Sequence, residues 1–351
     1  MMKEKEDRDM LKFNRKIVLL VIAGILVLAS GCHKTTTVQD NGVLGKNSDV
    51  LSEENKNMDT NTDSSSGNTD KLLSEGSAQP EETVSKNKAS TDETAASEND
   101  IYLNKNGTCL KDRILVPKGF TRISYKKNSF GAFLENYPLC ESGQPVLLYN
   151  GKKKGNQNAH AGVFDMDVAD GDLQQCADSV IRMYAEYFYK QKQYDKMKFH
   201  FVNGFSCDFD KWRKGMRVSI SGNDTSWYQG AEADDSKEVL ESYLRTVFNY
   251  ASTLSMEQES KQIKSNEIEA GDIFIHGGSP GHVVMVVDVC ENEKGEKAFL
   301  LAQGYMPAQQ FHVLKNPLHE GNPWYYETEI SYPFETPEYT FEEGSLMRPG
   351  Y

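Results

Sequence analysis

Gly271–Asp288 reads GDIFIHGGSPGHVVMVVD. It describes two strands joined by a glycine-rich turn, and the rest of the chain is organised around it. Asp272–His276 alternates polar and apolar residues, the pattern of a strand with one face buried. Gly277, Gly278, Ser279, Pro280 and Gly281 make a tight turn, because glycine takes up φ > 0 freely and proline fixes its own φ. Val283–Val287 is a continuous apolar run, which predicts a strand covered on both faces. His282 stands between turn and strand. A histidine there either reaches a cleft while its backbone is held rigid, or has its ring nitrogens satisfied by turn carbonyls. Position alone leaves both open.

Outward from this hairpin the chain divides by composition into residues 1–32, 33–100 and 101–351. In Met1–Cys32 a basic flank of Lys12, Arg15 and Lys16 precedes the apolar run Ile17–Ala29. That run is shorter than the ~20 residues a spanning helix needs, so it reads as a signal peptide. Its end, Leu28-Ala29-Ser30-Gly31-Cys32, resembles a bacterial lipobox. The resemblance implies lipidation at Cys32, a lipid bilayer as partner, and an extracytoplasmic place anchored to the bacterial membrane. The alternative is an uncleaved anchor with a chance cysteine. Residues 33–100 are rich in Ser, Thr, Asn, Asp, Glu and Lys and carry no aromatic residue. Such a segment buries too little apolar surface to offset chain entropy and predicts a disordered acidic tether with a reach of ~45 Å. The net charge of −13 argues against nucleic acid as a partner, since phosphate backbones need a basic face. The six cysteines fit neither a dense disulfide framework nor a zinc spacing, and Cys109, Cys140, Cys207 and Cys290 carry no readable pairing.

Aromatic residues become frequent from Ile101, and residues 101–351 suffice for a single globular domain. Ile114–Pro117, Thr121–Tyr125, Gly131–Leu134 and Val146–Tyr149 read as short strands, and His160–Val168 alternates as a strand does. Asp172–Lys192 predicts a helix with Asp170 or Asp172 as cap and an apolar stripe of Val180, Met183, Tyr184, Tyr187 and Phe188. Ser236–Leu254 predicts a second, capped by Ser236. Ala298–Ala302 predicts a buried strand ending at Gln303, and the tail from His312, rich in proline and aromatics, predicts an irregular surface wrap. The fold class is α+β: a mostly antiparallel sheet packed on two main helices.

Cys176, His282 and Gln303 form the candidate catalytic constellation. A thiol near a helix N-terminus is helped towards thiolate by unpaired N–H groups, and an imidazole takes its proton. A polar group on the next strand orients the imidazole and fixes its tautomer, and Gln303 stands at that point. Oxyanion donors are expected from the Cys176 backbone N–H and from Gln174 or Gln175. Gln175, Arg182, Glu186 and Ser279 are the candidate binding residues. Arg182 and Glu186, four apart, are either an ion pair or part of the cleft lining.

A helix-borne cysteine, the Gly271-Asp272 strand, His282-Val283 opening a strand and a polar residue on the following one together resemble the papain-like superfamily, and its NlpC-like cell-wall peptidase branch most. That resemblance implies a papain-like topology and a cysteine hydrolase acting on amide bonds, with peptidoglycan or a peptide as substrate and no cofactor. Where NlpC-like enzymes carry Asp-Cys-Ser-Gly, this chain has Gln175-Cys176-Ala177-Asp178. Asn128-Ser129-Phe130-Gly131, Asp172–Asp178, Gly277–His282 and Ala302–Gln309 resemble phrases of a bacterial family catalogued as domain of unknown function 4846, many of whose members are lipoproteins.

Three other readings compete. Cys176 is a buried structural thiol in the first. In the second, His160, Asp165, Asp167, His276 and His282 supply metal ligands, though at no recognised metal spacing. In the third, Trp212, Trp227, Tyr228, Trp324, Tyr325 and Tyr326 serve a non-catalytic binding lipoprotein for peptides or glycans.

Overall fold

The computed structural model describes residues 102–351. The expected signal peptide, lipidation at Cys32 and tether lie outside the described residues. Within them a nine-stranded sheet runs in the order His160–Val163, His312–Leu314, Lys297–Gln303, His282–Asn292, Ile273–His276, Leu346–Pro349 and Ser260–Gln262. Phe120–Arg122 also pairs with the His282 strand, and Tyr325–Tyr326 with the Gln303 strand. Every pairing in it is antiparallel.

The run VVMVV is explained by two cores. Alternate residues of a strand point to opposite faces. Val283, Met285 and Val287 enter the core shared with the helices, while Val284 and Val286 enter a second core on the far face. The far face is covered by the tail, with Phe274 stacked on Phe334 at 4.3 Å. The His282 strand therefore extends over His282–Asn292, and its first nine residues are buried.

The strand before the turn is buried on both faces as well, over Ile273–Ile275, so the alternation in Asp272–His276 does not mark a solvent face. Asp272, 1% exposed, is instead held by Arg348, whose Nε and Nη2 lie 2.7 and 2.9 Å from its two oxygens. Gly271 precedes it at φ 108, and a Cβ there would stand 2.8 Å from the Tyr184 hydroxyl. Only glycine fits a backbone that both turns left-handed and meets the helix this closely.

The helices are Cys176–Lys190 and Lys237–Tyr250, with shorter ones at Leu110–Arg113, Phe130–Glu135, Phe209–Trp212 and Thr253–Gln258. Ser236 caps the second long helix as its sequence predicts, accepting from Val239 N, and the chain then breaks at Ala251 so that Ser252 caps a separate short helix.

Several expectations change. Gly131–Leu134 lies in a helix, because Ser129 accepts from Ala132 N and starts one there. Ile114–Pro117 and Val146–Tyr149 contribute isolated bridges only, and the alternation from His160 continues as a strand no further than Val163. The tail supplies covering residues and three strands of the main sheet, His312–Leu314, Tyr325–Tyr326 and Leu346–Pro349. Among the described residues no helix is long and apolar enough to cross a membrane.

Candidate functional site

Cys176 is the first residue of its helix. The cap is Gln175, whose backbone N–H donates to Asp178 Oδ2 at 3.0 Å. Asp172 caps nothing. Its Oδ1 accepts from Ala308 N at 2.6 Å and from Gln175 Nε2 at 3.2 Å, tying the segment after Gln303 to the helix start. Gly304 meets the same point from the strand side: a Cβ there would stand 2.8 Å from Gln175 O and closer still to Ser179 Oγ. The helix N-terminus and the end of the Gln303 strand are thus held in contact by the smallest residue.

His282 and Gln303 sit on neighbouring strands and are hydrogen-bonded, Nε2 to Oε1, at 2.8 Å. His282 is 2% exposed and Gln303 fully buried. Gln303 Nε2 donates to Glu338 Oε2 at 2.8 Å, which fixes the amide with its oxygen towards the imidazole. An amide oxygen only accepts, so His282 carries its proton on Nε2, and Nδ1 is left with the lone pair. The rings of Tyr305 and Tyr339 pack on the imidazole at 4.6 and 4.9 Å.

Cys176 lies against the start of the His282 strand and near the two tyrosines. The Val283 backbone N–H, one residue beyond His282, favours its thiolate, and both Tyr305 and Tyr339 feel the sulfur's charge. Burial is the largest influence and pushes the thiol up to about 11, with the Asp178 carboxylate adding to it and the N–H groups of Ala177, Val283 and Cys176 opposing. Burial likewise lowers His282 to about 4, against the pull of Gln303 and with help from the Lys154 charge. At neutral pH both groups are uncharged, so the resting site holds a neutral thiol and a neutral base rather than an ion pair.

The expected oxyanion side chains are engaged elsewhere. Gln174 is fully buried, with its Oε1 accepting from Arg182 Nη1 at 2.6 Å, and Gln175 Nε2 is held by Asp172. The backbone N–H of Cys176, at a helix start, is the donor left. Arg182 and Glu186 do form the (i, i+4) ion pair, at 2.8 Å, and Glu186 also accepts from the Tyr137 hydroxyl at 2.7 Å. They line a separate cavity of about 620 Å³ whose walls include neither Cys176 nor His282 nor Gln303. Ser279 is exposed at the tip of the glycine-rich turn.

Among the described residues no group of three or more His, Cys, Asp or Glu side chains is arranged to hold a metal ion. Trp212, Trp324 and Tyr325 are core residues, and Trp324 donates from Nε1 to Leu115 O at 2.8 Å. The described cysteines are all unpaired thiols, with Cys207 and Cys290 buried.

Lys154, His312 and Glu338 were not legible as site residues. Lys154 sits in the basic turn KKK and Glu338 in the tail, and neither position announces burial. A buried lysine of 8% exposure paired with Glu338 signals the site only once the tail has folded over it.

Residues 110–348 match the family model described as Domain of unknown function (4846). No curated protein and no solved structure matches the chain.

Proposed function

The chain belongs to the family described as Domain of unknown function (4846), and on that premise we propose that it is a membrane-anchored lipoprotein acting as a cysteine hydrolase on amide bonds, with cell-wall peptides as the substrate class and a papain-like topology. The observation that carries the proposal is the His282–Gln303 hydrogen bond, with the amide oriented so that the imidazole keeps its basic nitrogen free.

In the reaction His282 Nδ1 takes the Cys176 proton as the sulfur attacks the carbonyl carbon, so that two neutral groups become charged only as the S–C bond forms. The oxyanion is met by the Cys176 backbone N–H at the helix start. The C–N bond then breaks, the amine leaves with the proton held by His282, and water releases the acid from the thioester by the reverse path. Gln303 holds the imidazolium through its amide oxygen. Cys32 lipidation tethers the domain so that it works near the membrane.

The test is amine release from a panel of peptidoglycan fragments. Hydrolysis is expected in the intact chain, absent in Cys176→Ala, and ~10²–10⁴-fold slower in His282→Ala. No release from any fragment, together with a thiol that resists iodoacetamide until the protein unfolds, would falsify it. A second reading, a non-catalytic binding lipoprotein for peptides or glycans, draws on the burial that holds the thiol at about 11. Fragment binding unchanged in Cys176→Ala, without turnover, would favour it.

A further inference from the structure

Behind Gln303 lies a buried polar group that the constellation itself does not use. Lys154 Nζ is ion-paired with Glu338 Oε2 and lies 3.3 Å from His312 Nε2. Glu338 Oε1 accepts from Asn156 Nδ2 at 3.1 Å. His312 Nδ1 lies 2.9 Å from Gln310 O, and a carbonyl only accepts, so His312 is protonated on Nδ1 and offers Nε2 as an acceptor. That acceptor faces Lys154 and, at 3.5 Å, Gln303 Nε2.

The two hydrogens of the Gln303 amide are therefore accounted for, one on Glu338 and one towards His312. A flipped amide would set its oxygen against the Glu338 carboxylate and the His312 lone pair, and its N–H groups against the Nε2–H of His282.

We infer that Glu338, held by Lys154, is a positioning residue that fixes the Gln303 amide and through it the Nε2–H tautomer of His282. It acts on the imidazole from the tail, some 35 residues beyond Gln303. The inference deepens the hydrolase reading, since it rests on His282 as the base, but it makes a claim about proton location that holds with or without a substrate. Lys154 supplies the counter-charge that lets a carboxylate stand there, and Asn156 occupies its other oxygen. The device differs from a direct carboxylate–imidazole pair: the charge is kept one side chain away, and the imidazole meets a neutral amide.

The experiment uses the full chain with ¹⁵N-labelled histidine and reads the His282 tautomer by NMR, alongside the pH profile of Cys176 alkylation. In the unaltered protein His282 is expected as Nε2–H. Glu338→Gln keeps an oxygen facing Gln303 and is expected to keep that tautomer. Glu338→Met removes the acceptor, and a mixture of tautomers is expected, with the His282-dependent part of the alkylation rate reduced about tenfold. Should Glu338→Met not fold, Glu338→Leu, which likewise removes the acceptor, asks the same question. A single Nε2–H tautomer in all variants would overturn the inference, as would Glu338→Gln behaving like Glu338→Met. Alkylation that ignores His282→Ala in an otherwise unaltered chain counts against the hydrolase reading instead and leaves the tautomer result standing.

Discussion

At the scale of single residues, the site is governed by what burial does to two titrating groups. Asp178 stands in the first turn of the Cys176 helix, and its charge is the second cause, after burial, that raises the thiol. Asp178→Asn removes that charge, so the alkylation profile of Cys176 is expected to move to lower pH than in the unaltered chain; an unmoved profile would show that the carboxylate does not act on the sulfur. His282, lowered to about 4 by burial, is in its base form throughout the range above that value. The acid limb of kcat/KM for amide hydrolysis is expected near pH 4 rather than near the 6.5 of an ordinary imidazole. A limb at 6.5 would mean that solvent reaches the ring. The places of Cys176, His282 and Gln303 at a helix start, a strand start and a strand end were legible because such ends are written in local pattern. The roles of Gln174 and Gln175 were not, because an amide side chain's partner is decided by what folds against it, here Arg182 and Asp172.

At the scale of elements, the contact between the Cys176 helix and the Gln303 strand is set by Gly304. Gly304→Ala places a methyl against Gln175 O and Ser179 Oγ, both fixed, since Ser179 Oγ donates to Gln175 O at 2.7 Å. Overpacking of this kind costs about 1–3 kcal/mol. A lowered Tm is expected, with a larger loss of His282-dependent alkylation than the stability loss explains. Unchanged values of both would show that the strand end yields freely. The hairpin around Gly277–Gly281 was legible because its punctuation is local. Phe130–Glu135 was misread because a six-residue element carries too little periodicity to separate helix from strand, and the Ser129 cap decides it. Leu346–Pro349 carried no strand signal, since Arg348 and Pro349 disfavour one; Pro349 ends the strand, and Arg348 belongs there because Asp272 is buried beneath it.

At the scale of the whole molecule, the tail is structural. Arg348→Met takes the half-exposed guanidinium from the buried Asp272 carboxylate and leaves it the Glu269 N–H, and leaving a buried acceptor short of a partner costs about 1–3 kcal/mol. Denaturant unfolding should show a midpoint lowered accordingly at neutral pH, and recovery by Asp272→Asn in the double variant; a midpoint unchanged in Arg348→Met would show that the pair contributes nothing. Loss of residues 346–351 is expected to abolish cooperative unfolding altogether, because the strand order places Leu346–Pro349 between Ile273–His276 and Ser260–Gln262. Tyr351 adds to this, with its ring 5.1 Å from Tyr184 and 4.9 Å from Phe199.

The same placement sets a schedule for biogenesis. Met347 pairs with Ile273 on one side and Gln262 on the other, so the seam of the sheet stays open while the chain is being made. A nascent chain that has delivered Cys176, His282 and Gln303 but not residue 346 has every member of the constellation and no closed sheet to hold them. The surroundings of His282 and Gln303 are therefore assembled late, after the segment that carries Glu338 has also arrived, and a chain still being made holds these residues without the sheet that positions them.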